Sequence, residues 1–290
     1  MIKKYIPLLR VSHYLKNLYI FLPLFFSGEI LNQDKFIKSI PVFISFCLVA
    51  SAIYIFNDLM DISYDQQHPI KKNRPIPSGK ISKVEAYTLA IILFVIAATI
   101  AFTVSVEVLY VILCYFFLNV LYSVKLKNYA LIDVTIVSIG FNLRVIAGGM
   151  ASDIVISKWL MIMVFLLSMF QALSKRMDDL YLMAKDANSQ LRRSIHGYSM
   201  EFLQIVLSML TGVLLVCYIM YIISPEIILR LGEYSYFTTL FVLLGLLRYL
   251  QFTFVKKASG SPVKILTNDR FIQLCIACWL LTFAILIYIK

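Results

Sequence analysis

The chain has 290 residues, 61% of them hydrophobic and 15% charged, with a formal net charge of +11 and a mean hydropathy of +0.84. That balance is too apolar for a soluble globular domain of this length and specifies an integral membrane protein. The excess of basic over acidic residues points to lipid headgroups or an anionic substrate, not to a nucleic-acid partner.

Stretches of about 18 or more residues with few charges predict nine spans, near 13–31, 38–56, 84–104, 107–124, 130–151, 157–174, 200–223, 235–254 and 271–289. Lys16 and Asn17 interrupt the first, which has the look of an interfacial start. The N-terminus lacks the small-residue site of a cleavable signal peptide. One face of this topology, comprising the N-terminus and the loops after spans 2, 4, 6 and 8, holds 21 of the 27 basic residues and ten of the sixteen acids. All of the net charge therefore lies on that face, which the positive-inside rule makes cytoplasmic and which leaves the C-terminus outside. The chain reads as a single all-α transmembrane catalytic domain, residues 1–290, in the cytoplasmic (inner) membrane. The five cysteines lie in apolar spans and read as packing residues.

The second span ends in "FNDLMDISYD". If its helix continues, Asp61 falls about 60° and Asp65 about 20° from Asp58, with Asn57 on the neighbouring side. Carboxylates aligned at a membrane boundary repel one another unless cations lie among them, and hard oxygen donors suit Mg²⁺. The loop continues as "NRPIPSG". A second long loop follows span 6 and contains "KRMDDL", with Lys175 and Arg176 ahead of Asp178, Asp179 and Asp186. Arg144 lies inside the fifth span, where its charge is costly. It is expected either to face a cavity and bind phosphate, or to pair with an acid such as Asp153 or with backbone carbonyls.

"NDLMDISYD" followed by "NRPIPSG" is similar to the first aspartate-rich motif and downstream loop of the UbiA superfamily of intramembrane prenyltransferases. The resemblance implies about nine transmembrane helices around a central cavity, with Asn57, Asp58, Asp61 and Asp65 binding Mg²⁺ and a diphosphate. "HYLKNLYIFLPLFFSG", "LYSVKLKNYALIDV", "GFNLRVIAGGMAS", "SKRMDDL" and "SPVKILTNDR" resemble the branch that transfers phosphoribose from phosphoribosyl pyrophosphate to a polyprenyl phosphate. That branch serves the synthesis of pentose donors for the cell envelope. Where aromatic prenyltransferases carry a second DxxxD motif, this chain has none, and fixed cations replace it. Several phosphates held together need several cations. On this resemblance Asp58, Asp61 and Asp65 are the catalytic residues. Lys16, Asn17, Lys71, Arg74, Tyr122, Lys125, Arg144, Lys175, Arg176, Asp179 and Arg193 are the expected substrate ligands. The alternatives are prenyl transfer to an aromatic acceptor and transport of an anionic solute.

Overall fold

The computed structural model describes residues 5–67, 71–185, 193–260 and 262–288, and among these every regular element is helical. Among the described residues eight helices are long and apolar enough to cross a membrane. In chain order they are α1 (Gln33–Met60), α2 (Lys83–Val104), α3 (Val106–Val124), α4 (Ile132–Ala151), α5 (Lys158–Lys185), α6 (Met200–Ile222), α7 (Thr238–Phe254) and α8 (Arg270–Tyr288). The expected spans 2 to 9 fall on these helices. The first is different. Its residues form a 3-10 helix over Val11–Phe21 and a short α-helix over Leu22–Ser27, broken where Pro23 can supply no backbone N–H.

Serine and asparagine side chains start several helices, because they accept from otherwise orphaned backbone N–H groups. Ser82 and Glu85 make a reciprocal capping box on α2, Ser105 caps α3, Ser199 caps α6 and Asn32 caps α1.

The chain divides into two compact units, Met1–Ile156 with Asn188–Ser194, and Ser157–Ala187 with Ile195–Lys290. In the first unit α1 packs on α2, α3 and α4, and the 3-10 segment lies against α1 and α4. Ile20, Val42, Phe46, Val49, Ile112 and Ala147 form its inner core. Gly148 makes the seating of the 3-10 segment possible, since a Cβ there would collide with the backbone carbonyl of Ile20. A second cluster joins Leu8, Ala52, Ile55 and Leu59 to Ile76 and Ile81. Those two isoleucines peg the loop after α1 onto the bundle. In the second unit α5 packs on α6 and α7, and α7 packs on α8. Arg248 of α7 makes a two-pronged bond to Asp269 just before α8, with Nε donating to Oδ1 at 3.2 Å and Nη2 to Oδ2 at 2.8 Å.

Candidate active site at the end of α1

α1 is 28 residues long, or about 42 Å at 1.5 Å per residue. That exceeds the roughly 30 Å hydrocarbon thickness, so its polar last turn can emerge from the apolar layer. α1 closes at Met60. Asp61 leaves helical geometry with φ −100° and ψ 10°, and the chain resumes as a short helix over Ile62–Gln67. The bond from Asp65 N–H to the Asp61 carbonyl, at 2.8 Å, keeps the two pieces nearly continuous. The acids therefore stay close together despite the break.

Asp58 and Asp65 are buried, and cations offset part of the cost of that burial. Arg74 Nη1 donates to Asp65 Oδ2 at 2.7 Å and to Asp58 Oδ1 at 3.1 Å. Arg10 Nη2 donates to the same Asp58 oxygen at 2.5 Å, with its guanidinium 4.7 Å from the centre of the Tyr54 ring. Lys127 Nζ donates to Asp61 Oδ1 at 2.5 Å, and Asn57 Nδ2 donates to Asp61 Oδ2 at 3.2 Å. A cavity of about 280 Å³ opens beside Asp58, lined by Pro7, Arg10, Asn73, Arg74 and Pro75.

Three carboxylates and an amide oxygen are the donors a hard divalent cation takes, and Asp58 and Asp65 already converge on a single cationic atom. The residues thus fit Mg²⁺ in chemistry. Among the described residues no group of three or more His, Cys, Asp or Glu side chains forms a ready metal site. The convergence point of Asp58 and Asp65 is taken by Arg74.

Arg144 is buried within α4. It does not pair with Asp153, which is exposed and 3.7 Å from Lys38. Its Nε donates to Asn17 Oδ1 at 2.8 Å, Nη1 to the Gly140 carbonyl at 2.6 Å and Nη2 to the Tyr115 hydroxyl at 2.7 Å. The rings of Phe46, Tyr115 and Phe141 lie around the guanidinium. All three acceptors are uncharged, so the positive charge of Arg144 is solvated but not cancelled. Lys16 lies within electrostatic range of Arg144, Arg10, Tyr115 and Tyr122. In the first unit Arg10, Arg74 and Lys127 therefore pair with the three carboxylates, and Lys16 and Arg144 are two further basic side chains within electrostatic range of each other.

Arg10 and Lys127 were missed by sequence reasoning, which counted both as topological charges. Lys125, the expected ligand, is exposed at the end of α3. Lys127 lies on the 3-10 turn that follows and reaches Asp61. The side chains of Lys71 and Arg193, and all of His68 and Asp186, lie outside the described residues.

In the second unit the "KRMDDL" acids have structural partners. Asp178 accepts from the backbone N–H groups of Ser259 and Gly260, and a Cβ at Gly260 would collide with its carboxylate. Ser259 Oγ donates to the Ser174 carbonyl at 2.8 Å. Asp179 pairs with the buried Arg176 at 2.9 Å. Lys175 is exposed.

The profile of the UbiA prenyltransferase family matches residues 22–274. A decaprenyl-phosphate phosphoribosyltransferase of Mycolicibacterium smegmatis is 31% identical over 262 residues, covering 88% of this chain and 82% of that protein. Its namesake in Corynebacterium glutamicum is 28% identical, covering 98% and 86%. Among solved structures, a UbiA homolog from Archaeoglobus fulgidus bound to GPP and Mg²⁺ superposes with a TM-score of 0.74 at 18% identity, covering 98% of this chain and 99% of that one. The model match and these relatives span most of the sequence, and the chain belongs to the UbiA prenyltransferase family.

Proposed function

We propose that the chain transfers 5-phosphoribose from phosphoribosyl pyrophosphate to a polyprenyl phosphate, releasing diphosphate. The observation that carries this reading is the cation balance. In the first unit Arg10, Arg74 and Lys127 pair with the three acids while Lys16 and Arg144 add two further basic side chains, and in the second unit Asp178 and Asp179 are engaged by backbone amides and by Arg176. A prenyl diphosphate brings one anionic group to its acceptor, whereas this reaction brings together a diphosphate, a 5-phosphate and a lipid phosphate. Surplus fixed cations suit the second case. The relatives named for this activity, at about 30% identity over most of the chain, support the same reading.

Asn57, Asp58, Asp61 and Asp65 would hold Mg²⁺, which supplies charge neutralisation to the departing diphosphate. Lys127, through Asp61, positions that carboxylate. The bond from ribose C1 to the diphosphate oxygen breaks, and an oxygen of the lipid phosphate forms the new bond to C1. That oxygen is already anionic, so no strong general base is required. Lys16 and Arg144 bring the acceptor phosphate toward the donor against their mutual repulsion, a positioning contribution. The Asp-bearing loop faces the cytoplasm, where the water-soluble donor is found.

Mass spectrometry of lipids formed by purified protein separates the readings. Polyprenyl phosphate with phosphoribosyl pyrophosphate should yield a phosphoribosylated lipid, and Asp58→Ala should abolish it with membrane insertion unchanged. Product formed instead from a prenyl diphosphate and an aromatic acid would assign the chain to aromatic prenyl transfer.

A further inference from the structure

One nitrogen, Arg74 Nη1, stands where Asp58 Oδ1 and Asp65 Oδ2 converge, at 3.1 and 2.7 Å. A divalent cation using both carboxylates needs them at about 2.1 Å, at that same place. Guanidinium and metal ion cannot share it, because they would overlap in volume and repel in charge. Arg10 crowds the same oxygen of Asp58 from another direction.

Both guanidiniums also line the cavity of about 280 Å³, together with Asn73. At about 30 Å³ per water, this is room for a phosphate group and several waters. The Arg fork matches phosphate oxygens in two-pronged geometry. The two side chains keep contact with solvent, at 19% and 32% exposure, so a change of rotamer moves each of them without repacking a core.

We propose that Arg74 is a displaceable counter-ion. It neutralises Asp58 and Asp65 until a divalent cation takes them over, then turns with Arg10 into the adjoining cavity and grips phosphate oxygens of the donor. Cation and anion are thereby linked: the metal frees the arginines that bind the diphosphate or the 5-phosphate. This rests on the metal-assisted reading given above.

The test uses the full chain in lipid nanodiscs, with Mn²⁺ as the spectroscopic cation probe and inorganic pyrophosphate as the anion probe. In Arg74→Gln, Mn²⁺ affinity without anion should rise about tenfold, since the ion pair that bridges Asp58 and Asp65 no longer has to be broken first. Pyrophosphate affinity at saturating Mn²⁺ should fall about tenfold, because a charged two-pronged donor is gone. Arg74→Lys keeps the charge while losing the fork, so Mn²⁺ affinity should stay within about threefold of wild type as pyrophosphate weakens. Its thermal melting also controls for folding. Opposite signs for the two probes in Arg74→Gln support the proposal, since general damage to the fold weakens both. Unchanged or weaker Mn²⁺ binding in a folded Arg74→Gln overturns it alone. Failure of the wild type to bind Mn²⁺ overturns the metal-assisted reading and the proposal with it.

Discussion

Lys125 and Lys127 are two residues apart and have different surroundings. Lys127 touches Asp61 with a side chain 11% exposed, while Lys125 faces solvent. Removing the first leaves a partly buried carboxylate without its ammonium, a loss of about 2 kcal/mol. Lys127→Ala should therefore lower kcat/KM about thirtyfold, whereas Lys125→Ala should stay within about twofold of wild type; steady-state kinetics on both checks the contrast. The aspartates were legible because their spacing along one helix is a local, periodic signal. Their cations were not, since Arg10 meets Asp58 across 48 positions and Lys127 meets Asp61 across 66. Only the folded chain creates those pairs. Arg144 was legible as an anomaly, a charge within an apolar span. Of its neutral partners, brought from two other elements, Asn17 stood out as a polar interruption of the first span, whereas Tyr115 carries no such mark in the sequence.

The eight long helices follow from their apolar length and from Ser and Asn caps, both of which are written locally. The segment 11–27 is different because its conformation is imposed by its neighbours. Ile20 is fully buried, and its carbonyl occupies the space where a side chain at Gly148 would be. Gly148→Ala should displace this segment and with it Asn17 from Arg144, lowering the melting temperature and the activity together. The control is Gly212→Ala in α6, where a Cβ meets nothing within 4 Å. There the substitution should stabilise the helix by about 0.5–1 kcal/mol. Thermal unfolding of both variants in the same detergent distinguishes a packing glycine from a tolerated one.

The molecule as a whole should be sensitive to acid through contacts outside the site as well. The Arg248 guanidinium, hydrogen-bonded to Asp269, holds its carboxyl below the usual carboxylate range, with burial acting in the other direction. A carboxyl with a depressed folded value adds stability above its unfolded pKa of about 3.9, and loses that contribution as pH falls through the folded value. Asp269→Asn should therefore melt at a lower temperature than wild type near neutrality, and the gap should close below about pH 4; melting curves across that range check the sign. Ile76 and Ile81, which peg the loop that carries Arg74, bear on turnover rate. With the backbone anchored by two buried side chains, the movement left to Arg74 is rotation about its own bonds. Rotamer changes of exposed side chains take picoseconds to nanoseconds, while loop and domain opening reaches microseconds or longer. The proposed exchange of counter-ions at Asp58 and Asp65 would then be faster than a loop or domain movement, so it is not expected to set kcat.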